Sequence, residues 1–149
     1  MYKRILVAFD GSKPSHRGLE EAIHLAQSLG SQIRLVHVVN ETPWLGPHAS
    51  AALMHELLAE LRSTSKSMLS EASNVVRAAG IEVDIRLLEA VGDQAGEYVV
   101  REAASWPAEL IACGTHGRRG LRRIIMGSDA EYIVRHSSVP VLLVRAEAD

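Results

Sequence analysis

Short apolar runs alternate along this chain with longer segments in which apolar residues recur every three or four positions. Continuous apolar runs of this kind are typical of strands buried on both faces of a sheet. Three such runs are found at residues 5–9, 110–113 and, counting Pro140, 139–144, and residues 33–39 predict a further strand. Residues 83–87 instead alternate apolar and charged side chains, which predicts a half-exposed strand at a sheet edge.

Helical spacing predicts a helix between each pair of consecutive strands. Ser12 is suited to cap the first helix and Gly30 to end it. A long helix is expected from about residue 51 to residue 79, and a third near residues 93–105. Gly127-Ser128 opens a fourth helix. The predicted inward-facing residues of the long and the fourth helices are Leu57, Leu58, Leu61, Met68, Leu69, Ala72, Val75, Val76, Ile133 and Val134.

Strands that alternate with helices predict an α/β domain with a parallel sheet covered by helices on both faces. With right-handed crossovers, the strands form an open, doubly wound sheet. The sequence contains no internal repeat or linker, so residues 1–149 are expected to form one domain. Ligands of such sheets bind beyond the carboxyl ends of the strands, where the strand order reverses. The first and fourth strands are the candidates for this place, because glycine-containing turns follow both.

Composition narrows the function classes. The 149 residues carry a net charge of −2 and 4% aromatic residues, which gives no basic field and no stacking platform for nucleic acid. Apolar runs far shorter than about 20 residues predict no membrane insertion. The first residues lack the apolar core of a signal peptide, so a cytoplasmic location is expected. Cys113, the single cysteine, is expected to be a small buried hydrophobe.

The segment after the fourth strand carries the most chemical information. Gly114-Thr115-His116-Gly117 is followed by nine residues and then by Gly127-Ser128. Glycines allow the backbone to approach a ligand, and a helix N-terminus favours an anion. Such a loop could wrap a phosphate chain, or its glycines could simply form turns.

The chain resembles the universal stress protein family over essentially its whole length. Residues 3–12 are similar to the opening of the family. Gly114 and Gly117, nine residues, and then Gly127-Ser128 match its ATP-binding pattern, and residues 138–144 resemble its last strand. The resemblance implies the strand order 3-2-1-4-5 and a fold related to the nucleotide α-hydrolases.

The same resemblance implies roles at individual positions. Asp10 would face the ribose or its metal, although it could equally serve as a helix cap. Val38 would hold adenine through its backbone, or be plain core. The residues that would line the ribose and phosphates are Gly114, Gly117, Gly127 and Ser128, with Thr115 and His116 in the same loop.

The sequence departs from the family pattern at Asp129-Ala130, where ATP-binding members typically have an apolar residue followed by Ser or Thr. Ala130 lacks a hydroxyl for the terminal phosphate. Asp129 would place a negative charge near the phosphates, or it could point away and favour the N-terminus of its own, fourth helix. The arginines at 118, 119, 122 and 123 could compensate such charges or be a solvated surface. ATP, ADP and AMP, with or without Mg²⁺, therefore stay open as the ligand.

The expected function is that of a stress-response protein with an adenine nucleotide as a regulatory ligand. No catalytic motif is present, so any ATP hydrolysis would be slow or incidental. His48 and His55, two helical turns apart, could both bind a metal, but such a site needs further ligands that the sequence does not identify. The resemblance implies a homodimer through residues 141–144, and a regulatory partner protein is expected. The alternative is a nucleotide-independent dimer that acts through protein contacts.

Overall fold

The computed structural model describes residues 1–41, 48–92, 94–115 and 126–145. These residues form five strands and four helices in strict alternation. The strands are β1 (Arg4–Ala8), β2 (Gln32–Asn40), β3 (Val83–Ala90), β4 (Leu110–Gly114) and β5 (Val141–Val144). The helices are α1 (Lys13–Leu29), α2 (Ala51–Ala78), α3 (Ala95–Ser105) and α4 (Ser128–His136).

The strands form a parallel sheet in the order β3-β2-β1-β4-β5, which confirms the predicted class and order. The order reverses between β1 and β4, because β2 and β3 extend the sheet on one side of β1 and β4 and β5 extend it on the other. The crevice beyond the carboxyl ends of these two strands is therefore the place where a ligand is expected.

Each face of the sheet has its own apolar core. Ile5 and Val7 of β1 point to the face that α1 and α2 cover, where Leu69 and Val76 of α2 are buried. Leu6 points to the opposite face, which α3 and α4 cover. This alternation along one strand explains why the buried strands have continuous apolar runs.

The structure corrects three details of the sequence prediction. Val75 and Val134 were expected to face the core, but their exposed fractions are 58% and 43%, whereas their neighbours Val76 and Ile133 are buried. Successive helical residues are 100° apart, so two adjacent apolar residues do not both face a narrow core. The last strand begins at Val141 instead of residue 139, after Pro140, which has no amide to donate.

The predicted edge position of residues 83–87 is confirmed, because β3 lies at one side of the sheet and is mostly exposed. None of the helices in the described part of the chain is both long and apolar enough to cross a bilayer.

Candidate functional site

The turn after β1 is held by short-range hydrogen bonds. The Asp10 Oδ1 atom accepts a hydrogen bond from the Ser12 amide at 2.9 Å. Ser12 in turn caps α1, because its Oγ atom accepts a bond from the Ser15 amide at 3.3 Å. Ser12 is thus the helix cap, as predicted, and Asp10 shapes the turn that leads into it.

Gly114, the last residue of β4, lies directly against this turn. A β-carbon added to Gly114 would be 2.6 Å from the Pro14 Cβ atom and 2.8 Å from the Pro14 carbonyl carbon. Side chains do not tolerate such distances to backbone, so only glycine lets the first turn of α1 rest on the end of β4. The two predicted turns therefore meet in space.

The chain that leaves β4 returns to the same place before α4 begins. The Gly127 amide donates to the Thr115 carbonyl oxygen at 2.8 Å, and the Thr115 amide donates to the Val144 carbonyl oxygen at 2.9 Å. Ser128 is then the exposed first residue of α4. Gly114, Thr115, Gly127 and Ser128 are thus brought together at the switch point. His116, Gly117 and the arginines at 118, 119, 122 and 123 lie outside the described residues.

The backbone of Val38 points toward the same crevice. Along β2, Gln32 and Val36 bond to the β1 side, whereas Ile33 and Glu41 donate to the β3 side. Val38, two residues after Val36, also directs its peptide groups to the β1 side of β2. The last bond between the two strands joins the Phe9 amide to the Val36 carbonyl oxygen at 2.8 Å, so β1 has ended before it reaches Val38. The peptide groups of Val38 therefore face the space beyond the end of β1, while its side chain packs on the second core.

His37, next to Val38, fixes the relative position of the two strand ends. Its Nδ1 atom lies 2.9 Å from the Phe9 carbonyl oxygen, and the side chain is buried. Phe9 also makes an edge-to-face contact with His16 of α1, with ring centroids 4.9 Å apart. Nothing in the local sequence predicted this link.

Asp129 makes a contact that the sequence did not reveal. Its Oδ1 atom accepts a hydrogen bond from the Gly96 amide, at the start of α3, at 2.9 Å. A β-carbon on Gly96 would lie 2.7 Å from the Asp129 carbonyl oxygen and 3.0 Å from the Tyr132 Cβ atom. The first turns of α3 and α4 are therefore in direct backbone contact. A glycine placed early in a predicted helix was the only available signal.

The Cys113 thiol, next to Gly114 in β4, is not available as a nucleophile. Burial raises the pKa of the Cys113 thiol from 9.0 to about 12, so the thiol stays protonated and inert near neutral pH. Cys113 is buried, as predicted. Across the described ranges, no three His, Cys, Asp or Glu side chains are grouped so that they could hold a metal ion.

Comparison with known proteins places these features in a family. The profile of the universal stress protein family matches residues 1–145. A universal stress protein of Methanocaldococcus jannaschii is 32% identical over 146 residues, which are 97% of this chain and 83% of that protein.

Two solved structures have the same fold. Universal stress protein UspA from Lactobacillus plantarum superposes with a TM-score of 0.83 at 22% identity, over 97% of this chain and 98% of that one. The universal stress protein from Archaeoglobus fulgidus, solved in complex with dAMP, has a TM-score of 0.66 at 25% identity, over 96% of this chain and 98% of that one.

Proposed function

Because the chain belongs to the universal stress protein family, we propose that it binds an adenine nucleotide at the carboxyl ends of β1 and β4. The observation that carries the proposal is the meeting of Gly114, Thr115 and Gly127 beside the turn at Asp10. This is the position at which open α/β sheets bind ligands. The dAMP complex of the Archaeoglobus fulgidus relative supports the choice of an adenine nucleotide.

Each part of the nucleotide has a candidate partner. The outward-facing peptide of Val38 offers one donor and one acceptor to the edge of an adenine ring. The half-buried carboxylate of Asp10 can accept hydrogen bonds from ribose hydroxyls. Ser128, the exposed first residue of α4, presents its amide at the helix N-terminus to a phosphate, and Gly127 precedes it as the cap residue. His116 and Gly117 stay proposed members of the site from the sequence alone.

The nucleotide is proposed as a regulatory ligand of a cytoplasmic stress-response protein. This role is supported by a sequence without the known catalytic motifs and by the Cys113 thiol, which is protonated at neutral pH. Ligand occupancy would then shift the population of a conformation that a partner protein recognises.

Calorimetric titration of nucleotide-free protein with AMP, ADP and ATP, each with and without Mg²⁺, tests this function. We expect saturable binding of at least one nucleotide, weakened at least about tenfold by Gly127→Val. Gly127 has φ −62° and ψ 153°, a conformation open to any residue, so the variant should fold. The control is Ala78→Val. Ala78 is exposed at the C-terminal end of α2, so the added bulk lies at the amino ends of the strands, opposite to the proposed site. Absence of binding to all three nucleotides would refute the proposal.

We also propose that two chains pair through β5. This strand lies at one side of the sheet, and its four apolar residues are only partly buried in the single chain. An apolar strand at an edge is a template for another strand. A partner copy would cover it, and a C2 axis would make the contact self-complementary.

A further inference from the structure

We propose that Asp129 makes this site select an adenosine monophosphate over the triphosphate. The inference rests on the proposed nucleotide function and adds the class of ligand. It is carried by the contact between Asp129 and Gly96 and by the place of both residues at the switch-point edge of the sheet.

The carboxylate of Asp129 lies at the N-terminal ends of two helices, α4 and α3. Asp129 lies in the first turn of α4, which begins after Gly127, and it accepts the Gly96 amide from the first turn of α3. Among the described residues, Gln94, the residue before α3, makes no capping bond with its side chain. Asp129 therefore supplies from α4 the cap that α3 lacks.

The Asp129 backbone is held by packing against α3, and its exposed carboxylate is held by the hydrogen bond from the Gly96 amide. Gly96 and the Asp129 backbone are so close that a β-carbon on Gly96 would be 2.7 Å from the Asp129 carbonyl oxygen. Ala130, the next residue of α4, is buried and has no polar side-chain atom. The carboxylate of Asp129 therefore lies between the first turns of α3 and α4.

A charge in this place limits the number of phosphates that the site accepts. A helix N-terminus carries about half a positive charge, so one carboxylate offsets the positive ends of both α3 and α4. Asp10 adds a second carboxylate at the same edge of the sheet. Each further phosphate adds negative charge close to these groups, and the repulsion grows with the phosphate count. A single phosphate on the Ser128 amide meets the least repulsion.

Two variants separate the charge of Asp129 from its hydrogen bond. Asp129→Asn keeps an oxygen that can accept the Gly96 amide, and Asn caps helices about as well as Asp. Glu131→Gln removes one negative charge from the same turn of α4, but Glu131 points along the helix to Arg135, with 2.8 Å between the Glu131 Oε1 and Arg135 Nη2 atoms. Glu131→Gln is therefore the matched control.

The experiment is a calorimetric titration of the full chain with AMP and ATP, without Mg²⁺ and at constant ionic strength. We expect the wild-type protein to bind AMP at least about tenfold more tightly than ATP, because the Asp129 carboxylate repels the two additional phosphates of ATP. Asp129→Asn is expected to tighten ATP binding several-fold and to change AMP binding less than about twofold. Glu131→Gln is expected to leave the ratio of the two affinities unchanged.

The titrations distinguish a failure of the selectivity inference from a failure of the proposed nucleotide function. If the wild-type protein binds ATP as tightly as AMP, the inference is wrong while nucleotide binding stands, and this comparison needs no variant. If Asp129→Asn changes both affinities equally, or Glu131→Gln gives the same gain for ATP, position 129 does not set the selectivity. If neither AMP nor ATP binds, the inference is wrong, and the proposed function is also wrong if ADP and the Mg²⁺ complexes fail to bind as well.

Discussion

At the residue scale, two glycines inside helices occupy opposite environments. Gly96 lies in the first turn of α3 against α4, where an added β-carbon would be 2.7 Å from the Asp129 carbonyl oxygen. Gly18 lies inside α1, where the nearest atom to an added β-carbon is the Cys113 carbonyl carbon at 3.6 Å, an ordinary contact. The first glycine is required by packing, and the second is not.

This difference predicts opposite effects of the same substitution. Gly96→Ala should lower the free energy of unfolding by about 1–3 kcal/mol, because the first turns of α3 and α4 must separate. Gly18→Ala should leave it unchanged or raise it by up to about 1 kcal/mol, because alanine is the better helix former. Urea unfolding of both variants measures the difference. Equal effects would mean that the contact between the two helices relaxes at little cost.

At the element scale, one arginine joins three elements on the face covered by α3. Arg34 of β2 donates to both carboxylate oxygens of Asp84 on β3, at 2.7 and 2.6 Å, and to Glu102 of α3 at 2.8 Å. Its guanidinium also lies 4.7 Å from the centre of the Trp106 ring. Hydrogen bonding to Asp84 is the main cause that raises the pKa of Arg34. The network ties α3, and with it Gly96, to the sheet.

Removal of this arginine should cost far more than removal of an exposed one. Among the described residues, Arg34→Met leaves the buried carboxylate of Glu102 with the longer 3.5 Å contact to Arg86 as its one ion pair, and we expect a loss of about 3 kcal/mol in the free energy of unfolding. Arg101→Met breaks an exposed pair with Glu97 on α3 and should cost under about 0.5 kcal/mol. The side chains of Arg34 and Arg101 are 16% and 70% exposed. Similar losses in urea unfolding would contradict a buried role for Glu102.

The elements themselves could be predicted from the sequence, because apolar periodicity is a local property. The runs around β1 and β4 and the glycine-bounded helices gave the fold class, and the resemblance gave the strand order. Contacts between distant residues could not be predicted. Arg34 and Glu102 are 68 positions apart, and Asp129 and Gly96 are 33 apart. Such pairs depend on how the helices pack on the sheet, and a local sequence pattern does not predict this packing. For the same reason, the sequence alone does not decide whether the Asp129 carboxylate lies near the phosphates or points away toward a helix N-terminus.

At the scale of the whole molecule, the two sides of the sheet differ in how they meet solvent. β3 has alternating charged residues, which discourage pairing with another strand. β5 consists of Val-Leu-Leu-Val and has β4 on one side only within the described sheet. Along β5 the Pro140 and Val144 carbonyl oxygens accept bonds from β4, so the peptide groups of Leu143 point away from the sheet. These outward groups are the ones that a second copy would engage.

The proposed dimer can therefore be tested by proline substitutions one residue apart. Leu143→Pro removes an outward amide and spares the bonds to β4, whereas Leu142→Pro removes an inward amide and should destabilise the chain itself. By light scattering, we expect the wild-type protein at about twice the chain mass of 16.2 kDa and Leu143→Pro at the chain mass, with its circular dichroism spectrum retained. A wild-type monomer, or a dimer unaffected by Leu143→Pro, would rule out pairing through β5. Because Leu143 is not among the residues of the proposed nucleotide site, Leu143→Pro should also bind nucleotide as the wild-type protein does.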